Sequence, residues 1–101
     1  MKLVGYARVS TRDQTVDPQR AALLAAGCDL IFDDTISGAT KSRSGLDKAF
    51  AALTPGDVLV VWKLDRLGRS MQHVVNTVLD LDRRGIGFRS LTEAIDLTSS
   101  T

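Results

Sequence analysis

LVGYARVST, residues 3–11, is the stretch whose reading decides the fold. Valine and tyrosine are enriched in strands, so residues 3–9 read as a first strand. Arg8 interrupts an otherwise apolar run, and Ser10 and Thr11 follow where the strand should end. Side chains alternate between the two faces of a strand, so Arg8 and Ser10 share one. Such an end is either a charged edge that resists aggregation or a nucleophile beside an anion clamp. The rest of the chain weighs between the two.

Beyond a polar loop, STRDQTVD, Asp17 and Pro18 look like the cap and first position of a helix. QRAALLAA is its alanine- and leucine-rich body, and Gly27 its stop. Residues 29–32 read as a short second strand, and DDTISGATKSRSG as a long polar loop. Ser44 is placed to cap a second helix with Leu46, Ala49, Phe50 and Leu53 on one face. TPGD is a turn. Residues 58–62 form a continuous apolar run, the pattern of a strand buried on both faces. A third helix runs to about Arg84 and stops at Gly85, with Leu67, Met71, Val74, Val78 and Leu81 as its apolar stripe. Residues 88–91 make a fourth strand, and AIDL a short extra edge strand. This alternation predicts an α/β fold: a mainly parallel four-stranded sheet with helices on both faces.

Composition sets the outer bounds. At 101 residues, 44% hydrophobic and 25% charged, the chain is one domain with a real core. A net charge of +1 says nothing for nucleic acid, so that case rests on where the arginines sit. Cys28 is the lone cysteine; it precludes an internal disulfide and suits a reducing cytoplasm. The longest apolar run is too short to cross a membrane, and Arg8 and Arg12 break up any secretory signal. The polar tail DLTSST ends without a cap, as expected of a piece of a longer protein.

In a parallel sheet, the loops after the strands gather at one edge. The first brings Ser10, Arg12, Asp13, Gln14 and Gln19; the second Ser37, Gly38, Lys41 and Arg43; the third Lys63, Asp65, Arg66 and Arg69. The third also feeds a helix N-terminus, which favours an anion. The only histidine, His73, is mid-helix, so a Ser-His-Asp triad does not assemble. Asp33 and Asp34 adjoin but point apart on a strand, which makes a poor two-metal cage. They also raise a phosphate-accepting receiver domain, set aside because its acidic pair usually follows the first strand. What remains is a serine among arginines, whose guanidiniums clamp phosphate bidentately at any working pH. These residue types fit metal-free transesterification at a phosphodiester. Tyr6 is read equally as core or as a hydroxyl near the site. Cys28 and Trp62 are read as core, and Arg12, Arg20, Lys41 and His73 as surface residues.

YARVSTRDQ, ISGATKSRSGL and VVWKLDRLGRS together resemble the catalytic domain of the serine recombinases, the resolvase and invertase family. VVWKLDRLGRSM and FRSLTEAID look most like the DNA invertase branch. The resemblance implies a resolvase-like catalytic domain over residues 1–101. It implies that Ser10 attacks a DNA phosphodiester to give a 5′-phosphoserine intermediate, followed by strand exchange and religation, with no cofactor. Arg8, Arg66 and Arg69 match the family's phosphate-binding arginines, and Arg43 another active-site arginine. Lys63 joins these as a phosphate contact, and Tyr6, Gln14, Gln19, Ser37 and Asp65 fall on active-site positions. Asp65 or an arginine takes part in removing the Ser10 proton; the sequence leaves both open. The implied partners are a double-stranded recombination site, further copies in a dimer and tetramer, and a DNA-bending protein at an enhancer. The implied location is the cytoplasm, on the nucleoid when DNA-bound. Family members continue into an oligomerisation helix and a helix-turn-helix domain, which residues 1–101 do not include. The competing expectation is therefore an inactive fragment that serves as a dimerisation or interaction module.

Overall fold

The computed structural model describes residues 2–9, 17–35, 44–63 and 71–96, less the side chains of Val9, Asp17, Thr35, Ser44 and Ile95. In chain order the elements are β1 (Leu3–Val9), α1 (Asp17–Ala25), β2 (Leu30–Thr35), α2 (Ser44–Ala52), β3 (Val58–Val61), α3 (Met71–Arg83), β4 (Gly87–Ser90) and β5 (Ile95–Asp96). Among the described residues the strands form one sheet in the order β2-β1-β3-β4-β5. The first four run parallel, and β5 joins antiparallel to β4 as the short edge strand. The expected α/β architecture is the one observed.

Strand order reverses between β1 and β3. From β1 the chain moves outward to β2, then returns to the other side of β1 and continues to β4. Right-handed crossovers then place α1 on one face and the two later helices on the other. The core divides accordingly. Val4, Tyr6, Leu59, Val61 and Phe88 pack against Leu46, Ala49 and Leu53 of α2 and Val74 and Leu81 of α3. Ala7, Val58 and Val60 pack against Leu23 of α1 and against Cys28. Gly5 lets α1 approach: a Cβ there would stand 3.1 Å from Cys28 Sγ and 3.2 Å from Leu23 Cδ1.

Two details depart from the sequence reading, and a third adds to it. β2 continues through Asp33, Asp34 and Thr35, where a loop was expected, because the backbone there pairs with Ala7, Arg8 and Val9 of β1. Polar side chains do not stop a strand whose main chain has a partner. Met71 is exposed rather than core; the buried stripe of α3 is Val74 and Leu81 with Val78 partly covered, and Leu67 lies outside the described residues. The N-terminus of α2 is capped from a distance. The Asp34 carboxylate accepts from the Gly45 N–H at 2.8 Å and the Leu46 N–H at 3.1 Å, and the Tyr6 hydroxyl donates to it at 2.8 Å. Gly45 has no room for a side chain, since a Cβ would lie 2.3 Å from the Asp33 carbonyl oxygen.

At the other edge of the sheet, buried Asp57 accepts from Thr54 N and Oγ1, both at 2.9 Å, and from Lys2 N at 3.0 Å. The Lys2 ammonium lies 3.2 Å from it. The Thr54 backbone hydrogen bond, then that side chain and Lys2, hold the Asp57 carboxyl well below the usual carboxylate range. The carboxylate is thus favoured by folding. Its stabilisation is complete above the unfolded value near ~4 and is lost as pH falls through the folded one.

Two outcomes are expected. Urea midpoints followed from pH 7 to pH 2 should fall on the acid side for the wild type and fall less for Asp57→Asn, which starts lower at pH 7. Parallel acid limbs would show that Asp57 is not a source of the loss. Asp34→Ala should cost about 2–4 kcal/mol, combining a lost helix cap with loss of the hydrogen bond from the Tyr6 hydroxyl. Tyr6→Phe, which leaves the cap intact, should cost about 1 kcal/mol. Equal losses in the two variants would assign the stability to the hydroxyl and not to the cap.

Candidate active site

The carboxyl ends of β1 and β3 are neighbours at the point where strand order reverses, the place where open α/β sheets leave a crevice for ligands. The chain leaves β1 after Val9 toward Ser10, Arg12 and Gln14. It leaves β3 after Val61 toward Lys63, Asp65, Arg66 and Arg69. It leaves β2, on the far side of β1, toward Ser37 and Arg43. Three candidate segments thus depart from three adjacent strands at one edge. Ser10, Gln14, Ser37, Arg43, Asp65, Arg66 and Arg69 lie outside the described residues. Tyr6, Arg8, Gln19 and Lys63 lie within them.

Arg8 is partly buried near the end of β1, opposite Asp34 in the β1–β2 register. By strand alternation it shares the face of Val4 and Tyr6, the face covered by α2 and α3. Tyr6 is fully buried, and its hydroxyl serves Asp34. Asp34 holds β1, β2 and the start of α2 together, and so joins the two flanks of the segment that carries Ser37 and Arg43. The sequence reading missed this residue, weighing the acidic pair only for metals or phosphorylation. The signal available was an acid at a strand end ten residues ahead of Ser44-Gly45-Leu46, an apolar helix start. Its neighbour Asp33 faces the other way, 2.6 Å from Arg20 of α1.

Gln19 is buried at 3% exposure. Its Oε1 accepts from the Arg8 N–H at 3.1 Å, and its Nε2 donates to the Arg8 carbonyl at 2.9 Å. Lys63 places its ammonium 4.8 Å from the centroid of the Trp62 ring, a cation–π distance. Trp62 is half-buried at the strand end, and its carbonyl accepts from the Thr92 N–H at 2.9 Å. The Cys28 thiol is buried beside Leu23; desolvation and then Asp29 push it up to about 11, which disfavours the thiolate. An open depression lined by Arg89, Ser90, Leu91, Ala94 and Asp96 sits at the β4–β5 turn and includes none of the candidate residues. Arg89 is engaged there by Asp96 at 3.3 Å, and the Ser90 hydroxyl donates to Glu93.

Known proteins share this fold. Residues 3–101 match the family model described as "Resolvase, N terminal domain". The chain is 58% identical over 97 residues to "Serine recombinase gin" of Escherichia phage Mu, covering 96% of this chain and 50% of that protein. It is 52% identical over 100 residues to "DNA-invertase hin" of Salmonella typhimurium, covering 99% and 53%. The chain therefore spans about half the length of the curated relatives it matches. Among solved structures, the N-terminal catalytic domain of TP901-1 integrase superposes with a TM-score of 0.77 at 30% identity, covering 99% of this chain and 84% of that one. A resolvase family site-specific recombinase from Streptococcus pneumoniae shares the fold, with a TM-score of 0.74 at 18% identity, covering 95% and 75%. On the family match and these identities, the chain belongs to the resolvase family, to whose N-terminal domain residues 3–101 correspond.

Proposed function

We propose that the chain is the catalytic domain of a site-specific DNA recombinase of the invertase and resolvase type. The observation that carries the reading is the shared edge: the segments with Ser10, with Ser37 and Arg43, and with Lys63 to Arg69 all leave neighbouring parallel strands beside the β1–β3 crevice. The names of the relatives, a serine recombinase and a DNA-invertase, support the same chemistry.

In this reading the Ser10 hydroxyl oxygen attacks the phosphorus of a DNA phosphodiester. A serine–phosphorus ester bond forms, and the bond to the deoxyribose 3′ oxygen breaks. The serine proton is withdrawn, and the departing 3′ oxygen takes up a proton, with Asp65 or an arginine taking part. One ester replaces another, so bond energy is retained and the reverse attack by a 3′-hydroxyl religates the strand. Arg8, Arg43, Lys63, Arg66 and Arg69 hold the phosphate oxygens and stabilise the charge that grows on them. Ser37 and Gln14 complete the rim of the site. Tyr6 contributes through Asp34 rather than by touching the substrate.

The partners of this reading are a double-stranded recombination site, further copies of the protein in a dimer and a tetramer, and a DNA-bending protein at an enhancer. Its location is the cytoplasm, on the nucleoid. Among the described residues no helix is long and apolar enough to cross a membrane.

Full-length protein incubated with its site on a radiolabelled duplex should give a covalent protein–DNA band on a denaturing gel. Ser10→Ala should fold with an unchanged circular dichroism melt and give no such band. Arg66→Ala should slow adduct formation by about 10²–10³-fold, the cost of one preorganised donor. An adduct that survives loss of the Ser10 hydroxyl would overturn the nucleophile assignment.

A further inference from the structure

We propose that Gln19 is a positioning residue: its carboxamide stands in for the next residue of β3 and holds the backbone from which the Arg8 side chain projects. The first part rests on geometry alone. The consequence for anion binding rests on the functional reading above.

The direction of the β1 backbone groups shows why a substitute is needed. The Lys2 carbonyl accepts from Val58 N–H of β3 at 3.0 Å, and the Leu3 carbonyl accepts from Asp29 N–H ahead of β2 at 2.8 Å. Backbone groups alternate sides along a strand, so even-numbered residues of β1 turn toward β3 and odd-numbered ones toward β2. Arg8 therefore turns its N–H and C=O toward β3. The β1–β3 register runs from Leu3↔Val58 to Tyr6↔Val61 and stops, while β1–β2 pairing continues to Val9↔Thr35. The central strand overhangs its paired stretch of β3 by Ala7, Arg8 and Val9, and of these Arg8 turns toward β3. The described register sets no β3 residue opposite Arg8, and these two groups are met from elsewhere.

Gln19 meets both needs. A primary amide carries the same acceptor and donor as a peptide group. Its oxygen takes the Arg8 N–H and its nitrogen serves the Arg8 carbonyl, at 3.1 and 2.9 Å. The side chain comes from the first turns of α1, one helical turn before Leu23, which seats that helix on the sheet. Gln19 is thereby buried and engaged, an assignment different from contact with the reacting phosphate. It fixes where Arg8 leaves the sheet, and it links that position to the seating of α1.

The chemistry of the amide supplies a discriminating test. In Gln19→Glu, an ionised carboxylate can accept from the Arg8 N–H but turns a second acceptor on the Arg8 carbonyl. Once protonated, the carboxylic acid regains a donor and restores the pattern. Folding then favours the protonated acid, so its folded pKa lies above the unfolded ~4.3. Its contribution is present below that unfolded value and lost as pH rises through the folded one. Gln19→Met keeps the length and lacks both functions at every pH.

The experiment follows Arg8 amide hydrogen exchange by NMR in the 101-residue chain between pH 4 and pH 7.5. It is paired with titration by inorganic sulfate, whose charge is constant over that range. Wild-type Arg8 should be protected throughout. Gln19→Glu should approach that protection at pH 4 and lose about tenfold or more by pH 7.5, with Leu59 and Val60 amides unchanged. Gln19→Met should be unprotected at both ends. Sulfate affinity read at Arg8 and Lys63 should weaken in step, by about three- to tenfold, and recover in Gln19→Glu on acidification. Full Arg8 protection in Gln19→Met, or no pH dependence in Gln19→Glu, overturns the substitution of amide for strand. Lost protection with unchanged sulfate affinity overturns the positioning role. A wild type that binds no sulfate near Arg8 overturns the functional reading instead, and the exchange pattern decides the backbone claim by itself.

Discussion

The saturation of β1 is the constraint on which the structure depends. This strand lies inside the sheet, with Val4, Tyr6 and Ala7 fully buried and neighbours on both edges. Buried N–H and C=O groups need protein partners, and most of this strand is buried. β2 and β3 supply those partners for most of its length. Where β3 stops, a side chain from α1 takes over. The carboxyl end of the strand is thus hydrogen-bonded as its middle is, and a charged residue, Arg8, stands there.

The same solution recurs wherever a ladder runs out. Asp29 accepts from the Leu3 N–H at 3.0 Å where β1 begins. Asp57 gathers the Thr54 turn and Lys2. Asp34 caps α2 across the gap between two elements. Trp62 lends its carbonyl to Thr92 just past the ends of β3 and β4. Three aspartates that could be taken for chemistry are spent on main-chain donors. A carboxylate is well suited to this, since it accepts several bonds at once and its charge complements a helix N-terminus.

What the sequence made legible follows from which forces act locally. The apolar run of β3 and the alternation of elements reveal the sheet, because burial on both faces demands an unbroken hydrophobic stretch. The glycines and prolines mark the turns for equally local reasons. The three polar segments could be assigned to one edge because parallel topology alone gathers them. β2 was read too short, since Asp33 and Asp34 look like loop when their backbone partners, supplied by β1, are not yet in view. Asp34 and Gln19 were hard to read for the same reason. Each acts on a main-chain group 11 or 12 positions away, and no periodicity encodes that distance. Met71 shows the converse: its spacing fits the stripe of α3, but it stands at the helix's first residue, where the exposure shows the core no longer reaches.

These attachments also divide the labour between framework and chemistry at the crevice. α1 and α3 follow adjacent strands and pack on opposite faces of the sheet, the arrangement in which open α/β sheets place a ligand crevice. The Arg8 side of that space is set by hydrogen bonds in the plane of the sheet, and the Lys63 side by a ring face next to it in sequence. The two differ in stiffness. Amide hydrogen bonds fix direction to within tens of degrees, whereas a cation over an aromatic face can slide without losing much attraction. In the proposed reading, a site that holds one phosphate would draw on both: a guanidinium whose root is fixed, and an ammonium with more latitude.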